Sequence, residues 1–276
     1  MEDLIRKIIE LALEEDGEDV TSHALFLPED MLRGVIRAKE RGLIAGVSIA
    51  EQVFKRVDQA TVFERRVSDG ALVQAGQSIA MVKGTARALL KAERVALNFM
   101  QRMSGITTMT AQYVEEIRGS KACLLDTRKT APGNRLLDKC AVRIGGGMNH
   151  RMGLFDMALI KDNHIDRIGS ISEAVKRVRE KYPSLVIEVE ARNLNDVEES
   201  VQLGVDRIML DNFALPDMRE AVKMVAGRIP LEASGGITLA NIRDVATTGV
   251  DFISVGEITH SVRALDISMT VEGMHG

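Results

Sequence analysis

The chain has 276 residues, 45% of them hydrophobic and 28% charged, with a net charge of −4, which is the make-up of a folded globular protein of one large domain or two modest ones. Aromatic residues make up only 3%, so the basic surface and stacking platforms of a nucleic-acid binder are both missing. No run approaches the roughly 18 apolar residues of a membrane span, and the opening MEDLIRKIIELALEED is acidic and amphipathic, unlike a secretory signal; this points to a cytoplasmic protein.

The opening segment reads as an amphipathic helix with Leu4, Ile8, Leu11 and Ala12 on one side. Short strands and turns follow in GVIRAKERGLIAG and TVFERRVSDGALVQAGQSIAMVKG, punctuated by Gly34, Gly42, Gly46, Gly70, Gly76 and Gly84. A helix is then predicted over TARALLKAERVALNFMQRMSGI, where Leu89, Leu90, Ala96, Leu97 and Met100 recur at helical spacing.

From Lys121 the rhythm changes to strand, polar turn, amphipathic helix. Candidate strands are ACLLD, DMALIK, SLVIEVE, DRIMLD, RIPLEAS and VDFISVG, interleaved with helices such as SISEAVKRVREKY, NLNDVEESVQLG, LPDMREAVKMVAG and TLANIRDVATTG. Such alternation implies a parallel sheet, and this many units imply a closed or nearly closed β/α barrel. Asp126, Lys161, Glu190, Asp211, Ser234 and Gly256 all fall at the C-terminal ends of these strands, where β/α barrels build their sites. Any one of them reads equally as a solvated turn or a helix cap; together they ask for a shared cavity.

Charge concentrates in the same region. Between Lys121 and Lys161 eight Lys or Arg face three Asp, a local balance of +5 in an acidic chain, which suggests a site for a strongly anionic small molecule. Arg128 supplies a bidentate fork suited to carboxylate and Lys129 a compact charge suited to phosphate. His150 and Arg151 form a second donor pair, and a histidine among cations is expected to stay neutral. His164 is either a packed loop residue or a further donor. Glu188 and Glu190 lie two apart on one strand and share a face; buried, they need partners, with Lys129, Lys161, Arg151 or a divalent ion as candidates.

The run EASGGITLAN sets Ser234, Gly235 and Gly236 ahead of a helix expected near Thr238. With Gly256 it reads either as a tight turn or as a phosphate cradle of backbone N–H groups. Cys123 and Cys140 have neither metal-ligand spacing nor a disulfide framework, and read as two buried thiols. No HExxH, CxxC or Walker loop occurs.

Taken in order, ERVALNFMQRMSGI, DTRKTAPG, HRMGLFDMALIKDNH, IEVEARNL, IMLDNF, EASGGI and ISVGEITHS closely resemble the quinolinate phosphoribosyltransferases. The resemblance implies an α/β protein with an N-terminal α/β sandwich domain over residues 1–111, joined by the tail 264–276, and an open, incomplete β/α barrel over 112–263. It also implies a homodimer or assembly of dimers that joins quinolinate to phosphoribosyl pyrophosphate, with Mg2+ accompanying the pyrophosphate, and releases carbon dioxide. By the same resemblance Arg128, His150, Arg151, Lys129 and Lys161 bind the quinolinate carboxylates and the phosphoribosyl donor. Arg94 reaches into the neighbouring subunit's site; on its own it reads as a surface helix residue. Glu190 and Asp211 sit near the ribose hydroxyls and meet the metal indirectly, through the substrate, while Ser234, Gly235, Gly236 and Gly256 hold the 5-phosphate. Lys129, Lys161, Glu190 and Asp211 are the implied catalytic set. The chain departs from the family pattern in LEEDGEDVTS, shortened between Asp16 and Asp19. Two other readings share the architecture: a phosphoribosyltransferase-like paralogue linked to molybdenum uptake, in which the TRKT and KDNH strings would be altered, and a non-catalytic barrel that binds phosphorylated metabolites.

Overall fold

The computed structural model describes residues 2–273. The chain opens with α1 (Glu2–Asp16), α2 (Val20–Leu25), β1 (Met31–Ala38), β2 (Gly42–Leu43), α3 (Val47–Val57), β3 (Val62–Arg65), β4 (Leu72–Val73), β5 (Ser78–Thr85) and the long α4 (Ala86–Glu116). The alternating part follows as β6 (Cys123–Leu125), α5 (Arg135–Ile144), β7 (Ala158–Ile160), α6 (Asp162–Ile168), α7 (Ile171–Lys181), β8 (Ile187–Ala191) and α8 (Leu194–Leu203). It is completed by β9 (Arg207–Asp211), α9 (Leu215–Val225), β10 (Leu231–Ser234), α10 (Ile242–Ala246), β11 (Phe252–Ser254), α11 (Glu257–His260) and β12 (Ile267–Gly273).

Contacts divide the chain into two units that interleave in sequence rather than meeting at one boundary. The first contains the residues up to Thr110, Ala131–Gly146 and those from Ser261 onward; residues 274–276 of the expected tail lie outside the described residues. Its sheet runs β12-β1-β5-β3, antiparallel throughout. Helix α3 buries Ile49, Ala50, Val53 and Phe54, and α4 buries Leu89, Leu97, Met100, Met103 and Ile106, the one-sided pattern that makes a helix pack.

Helix α5, which the strand-and-helix rhythm of the sequence does not anticipate, clusters with this unit for a local reason. Asp138 on α5 is fully buried and receives both arms of Arg102 from α4, at 2.8 and 2.7 Å, while the Thr107 hydroxyl donates to the Ala141 carbonyl at 2.9 Å. In α1 the expected apolar side is rotated: Ile9 is buried, but Leu4 and Leu11 are exposed. The inward row is Ile5, Ile8, Ile9 and Ala12, which Leu4 and Leu11 flank. The two thiols are not both buried either. Cys140 is exposed and Cys123 partly so, and both are free; Cys140 falls on the face of α5 opposite the buried Asp138 and Val142.

The second unit holds a parallel sheet in the order β6-β11-β10-β9-β8-β7. β6 and β7 are its two edges, so the barrel stays open. Ile187, Val189, Ala191, Ile208, Leu210, Leu231, Ala233 and Ile253 are buried, and they alternate with Glu188, Glu190, Arg207, Met209, Asp211, Glu232 and Ser234 on the other face. Register places these inner residues in rows: Glu188 beside Arg207, Glu190 beside Met209 and Glu232, and Asp211 beside Ser234. The inside of this sheet is therefore charged, and its outer face supplies the apolar layer for the helices.

Candidate functional site

A cavity of about 280 Å³ is built within the second unit, at the C-terminal ends of the parallel strands. The segment after β6 contributes Thr127, Arg128 and Lys129, the segment before β7 contributes His150 and Arg151, and Lys161 follows β7 directly. Across from them stand Glu190, Asp211 and Ser234 at the ends of β8, β9 and β10, with Leu159, Met209, Glu232 and Ser254 completing the wall. Eight residues singled out from sequence thus meet in one place: Arg128, Lys129, His150, Arg151, Lys161, Glu190, Asp211 and Ser234.

The cations are arranged for an anion. The Nε of Arg128 is buried without a hydrogen-bond partner. Arg151 donates from one guanidinium nitrogen to the Met157 carbonyl at 3.1 Å. Burial, and then the charge of Arg128, hold the Arg151 guanidinium below its ordinary pKa. Two guanidinium groups that repel each other in a half-buried pocket are both relieved by a carboxylate or phosphate between them. On the opposite wall burial and neighbouring Asp211 push the Glu190 carboxyl above its ordinary pKa, with Lys161 opposing.

Asp126, at the end of β6, is fully buried and supports the cavity from behind. Its carboxylate accepts the Asn149 side-chain amide at 2.6 Å and the His150 backbone N–H at 2.9 Å, which fixes where His150 and Arg151 leave the backbone. The His150 Nδ1 accepts the Arg151 backbone N–H at 2.8 Å, so a neutral ring carries its proton on Nε2. That nitrogen lies 3.0 Å from Glu188 and 3.5 Å from Glu232. The surroundings of His150 are therefore acidic on its inner side, not wholly cationic as the sequence suggests. Glu188 likewise faces His150, Arg207 and Glu232 and, of the expected cations, feels the charge of Arg151, because its position two residues before Glu190 places it one row deeper.

The glycine loops flank the cavity and are not part of its wall. No helix begins at Thr238: that residue opens a turn whose N–H is accepted by the Asn241 side chain at 2.8 Å, and α10 starts only at Ile242. Any cradle here rests on loop N–H groups without a helix terminus. Gly235 adopts a φ of +96°, and a Cβ on it would lie 2.2 Å from the Asn212 side-chain oxygen. Gly256 packs against Lys129, whose Cδ would be 3.0 Å from an added Cβ, and the Thr259 hydroxyl donates to the Lys129 carbonyl at 2.9 Å. His164 acts locally, where its Nδ1 accepts the Lys161 backbone N–H at 3.1 Å and steadies the turn into α6. Arg94 is exposed on α4, in the first unit. Glu232, Ser254 and Thr127 are wall residues that sequence reasoning misses. Glu232 had a signal, since it stands two residues before Ser234 on the same strand and must share its face.

The chain is similar to known proteins over nearly its whole length. Residues 19–104 match the family described as "Quinolinate phosphoribosyl transferase, N-terminal domain" and residues 106–270 its "C-terminal domain". The chain is 45% identical to "Nicotinate-nucleotide pyrophosphorylase [carboxylating], chloroplastic" of Arabidopsis thaliana, over 97% of this chain and 83% of that one. It is 44% identical to the carboxylating nicotinate-nucleotide pyrophosphorylase of Mycobacterium leprae, over 97% of both. Among solved structures, NadC from Streptococcus pyogenes superposes with a TM-score of 0.94 at 38% identity, covering 99% of this chain and 98% of that one.

Proposed function

The chain belongs to the quinolinate phosphoribosyltransferase family, and from that premise we propose how its cavity carries out the family's reaction. Quinolinate and phosphoribosyl pyrophosphate are converted to nicotinate mononucleotide, carbon dioxide and pyrophosphate, a step of NAD biosynthesis. The observation that carries the reading is the convergence of Arg128, Lys129, Arg151 and Lys161 on one cavity faced by Glu190 and Asp211, with a buried Arg128 nitrogen still lacking a partner. Arg128, Arg151 and His150 hold the quinolinate carboxylates. Lys129 and Lys161 neutralise the phosphoribosyl donor, and the loops at Ser234, Gly235, Gly236 and Gly256 take its 5-phosphate.

Breaking the bond between the ribose C1 and pyrophosphate leaves positive charge on the sugar, which Glu190 and Asp211 stabilise from across the cavity. The quinolinate ring nitrogen, aimed by the carboxylate contacts, forms the new bond to C1 and becomes positively charged. The bond from the ring to the 2-carboxylate then breaks, its electrons are drawn toward the ring nitrogen, carbon dioxide leaves, and the ring carbon takes up a proton. The protein's part is placement and charge.

Mg2+ fits the residues present. Glu190 and Asp211 crowd two carboxylates at adjacent strand ends, and the raised proton affinity of Glu190 marks a place short of positive charge. Magnesium carried in on the donor would supply that charge and neutralise the leaving pyrophosphate, and Glu190 and Asp211 would face it through the substrate.

We further propose a homodimer or an assembly of dimers in which Arg94, exposed on α4, completes the partner's site. Among the described residues no helix is long and apolar enough to cross a membrane. Mixing Arg94→Ala with Arg128→Ala tests the shared site. Each variant alone should be nearly inactive, and random reassociation into two-fold dimers should restore about a quarter of wild-type activity. No recovery after verified subunit exchange would place Arg94 outside the site.

A further inference from the structure

Beneath the cations, Glu232 forms part of the cavity wall, and nothing in the reaction as described uses it. Its side chain is fully buried, and its Oε1 has no hydrogen-bond partner. Its Oε2 lies 3.1 Å from Arg207 and 3.5 Å from the His150 Nε2. Glu188, equally buried and with neither carboxylate oxygen hydrogen-bonded, sits 3.0 Å from that same nitrogen.

The groups facing Glu232 are Glu188 on β8, Arg207 on β9, His150 ahead of β7 and the Ser254 hydroxyl on β11. Arg207 is held in place by stacking over the Phe252 ring at 4.3 Å. With His150 neutral, the two carboxylates have one guanidinium in direct contact, that of Arg207 on Glu232, while Arg151 acts on Glu188 only through space and donates to the Met157 carbonyl; two buried carboxylates thus repel each other directly under the place where an anionic substrate must bind. A buried charge of this kind is relieved by a proton or by a metal ion. One proton removes the repulsion between the two carboxylates. A divalent ion would have to sit beside the Arg207 guanidinium, which already holds the Glu232 Oε2 at 3.1 Å. Burial, and then the charge of Glu188, push the Glu232 carboxyl up to about 7.

We propose that Glu232 is a further binding residue for the acceptor: the cavity receives the dicarboxylate when Glu232 is a neutral acid, and acceptor binding is accompanied by uptake of one proton at this carboxyl. The proposal rests on the functional reading above. The sign follows from linkage. An anion bound next to Glu232 favours its protonated form, so the protonated form must favour the anion by the same factor. Affinity for quinolinate should then fall as pH rises through 7, approaching tenfold per unit, and be about 30-fold weaker at pH 8.5 than at pH 6.

The test is the pH profile of kcat/KM for quinolinate, with the phosphoribosyl donor saturating, which reports ionisations of the enzyme before quinolinate binds. It is paired with calorimetric quinolinate binding at pH 8 in two buffers of different ionisation enthalpy. Wild-type protein should show the fall and take up close to one proton. Glu232→Gln, neutral at every pH, should show a flat profile, no uptake, and tighter binding than wild type at pH 8.5. The wild-type proton uptake stands as a test even if that variant folds poorly. A flat wild-type profile without uptake would overturn the proposal while leaving the reaction assigned. A profile retained in Glu232→Gln would overturn it in favour of another group, and a stoichiometric divalent ion that chelators remove together with quinolinate binding would overturn it in favour of a metal site. Absence of both turnover and quinolinate binding would remove the functional reading and the proposal with it.

Discussion

Asp126→Asn is the substitution that separates placement from charge in this cavity. The residue is fully buried, and its two carboxylate oxygens each accept an N–H, from the Asn149 side chain at 2.6 Å and from the His150 backbone at 2.9 Å. Asparagine has nearly the same shape but one acceptor oxygen, so its amide N–H2 must face one of those two donors. One buried N–H loses its partner, and the surviving bond loses its charge. A bond to a charged group contributes roughly 1.5–3 kcal/mol and an unsatisfied buried donor costs roughly 1–3, so the loss should be about 3 kcal/mol. In a chain of this length that corresponds to a fall in Tm of roughly 6–12 °C. The same bonds aim His150 and Arg151 at the acceptor, and a displacement of about 1 Å there costs on the order of 100-fold in turnover. Urea denaturation followed by circular dichroism measures the first effect, and kcat/KM for quinolinate measures the second. Wild-type values in both would refute the assignment of Asp126 as the anchor of this segment.

Three further outcomes are expected. Arg128→Ala should lower kcat/KM by ~2–4 kcal/mol of transition-state stabilisation, read as a loss between about 30-fold and 1000-fold at unchanged Tm, since it removes one charged partner from a buried anion; near-normal turnover would take Arg128 out of the site. Arg102→Met should destabilise the fold by roughly 3–5 kcal/mol in denaturant unfolding, because it strands the buried Asp138 carboxylate, which also accepts the Ala131 N–H at 3.1 Å. Adding Asp138→Leu should recover part of that loss, and a double variant no better than the single would argue against an electrostatic cause. Gly235→Ala combines a φ of +96° with a Cβ placed 2.2 Å from the Asn212 side chain. The loop must shift, so KM for the phosphoribosyl donor should rise well above tenfold while quinolinate binding measured alone changes little.

Much of this was legible in the sequence because barrel strands declare themselves twice, by apolar alternation and by polar ends. All six strands from Cys123 to Ser254 form where that rhythm predicts them, and Glu188 and Glu190 do share the inner face. The parity that identifies Glu190 and Ser234 also reaches Glu232, but a lone glutamate in RIPLEAS has no local partner, and only register opposite Met209 on β9 and Phe252 on β11 brings it within reach of Arg207 and Ser254, two residues away on those strands. Helix α5 was hidden for a similar reason. Its burial depends on Arg102 and Thr107, which lie more than thirty residues earlier in the chain. The exposed Leu4 and Leu11 show the limit of periodicity on short helices, where the three- and four-residue spacings admit two overlapping faces. Glycine pairs mislead in the opposite way. Gly235 and Gly236 mark a loop correctly, but Asn241 closes a turn where a helix start would otherwise stand.

Quinolinate labelled in its 2-carboxylate, incubated with the purified protein, magnesium and phosphoribosyl pyrophosphate, puts the central claim to the most direct test. The account predicts carbon dioxide released only when the donor is present, in one-to-one ratio with nicotinate mononucleotide and pyrophosphate. Well-folded protein that releases none, or that releases carbon dioxide without the donor, would contradict it.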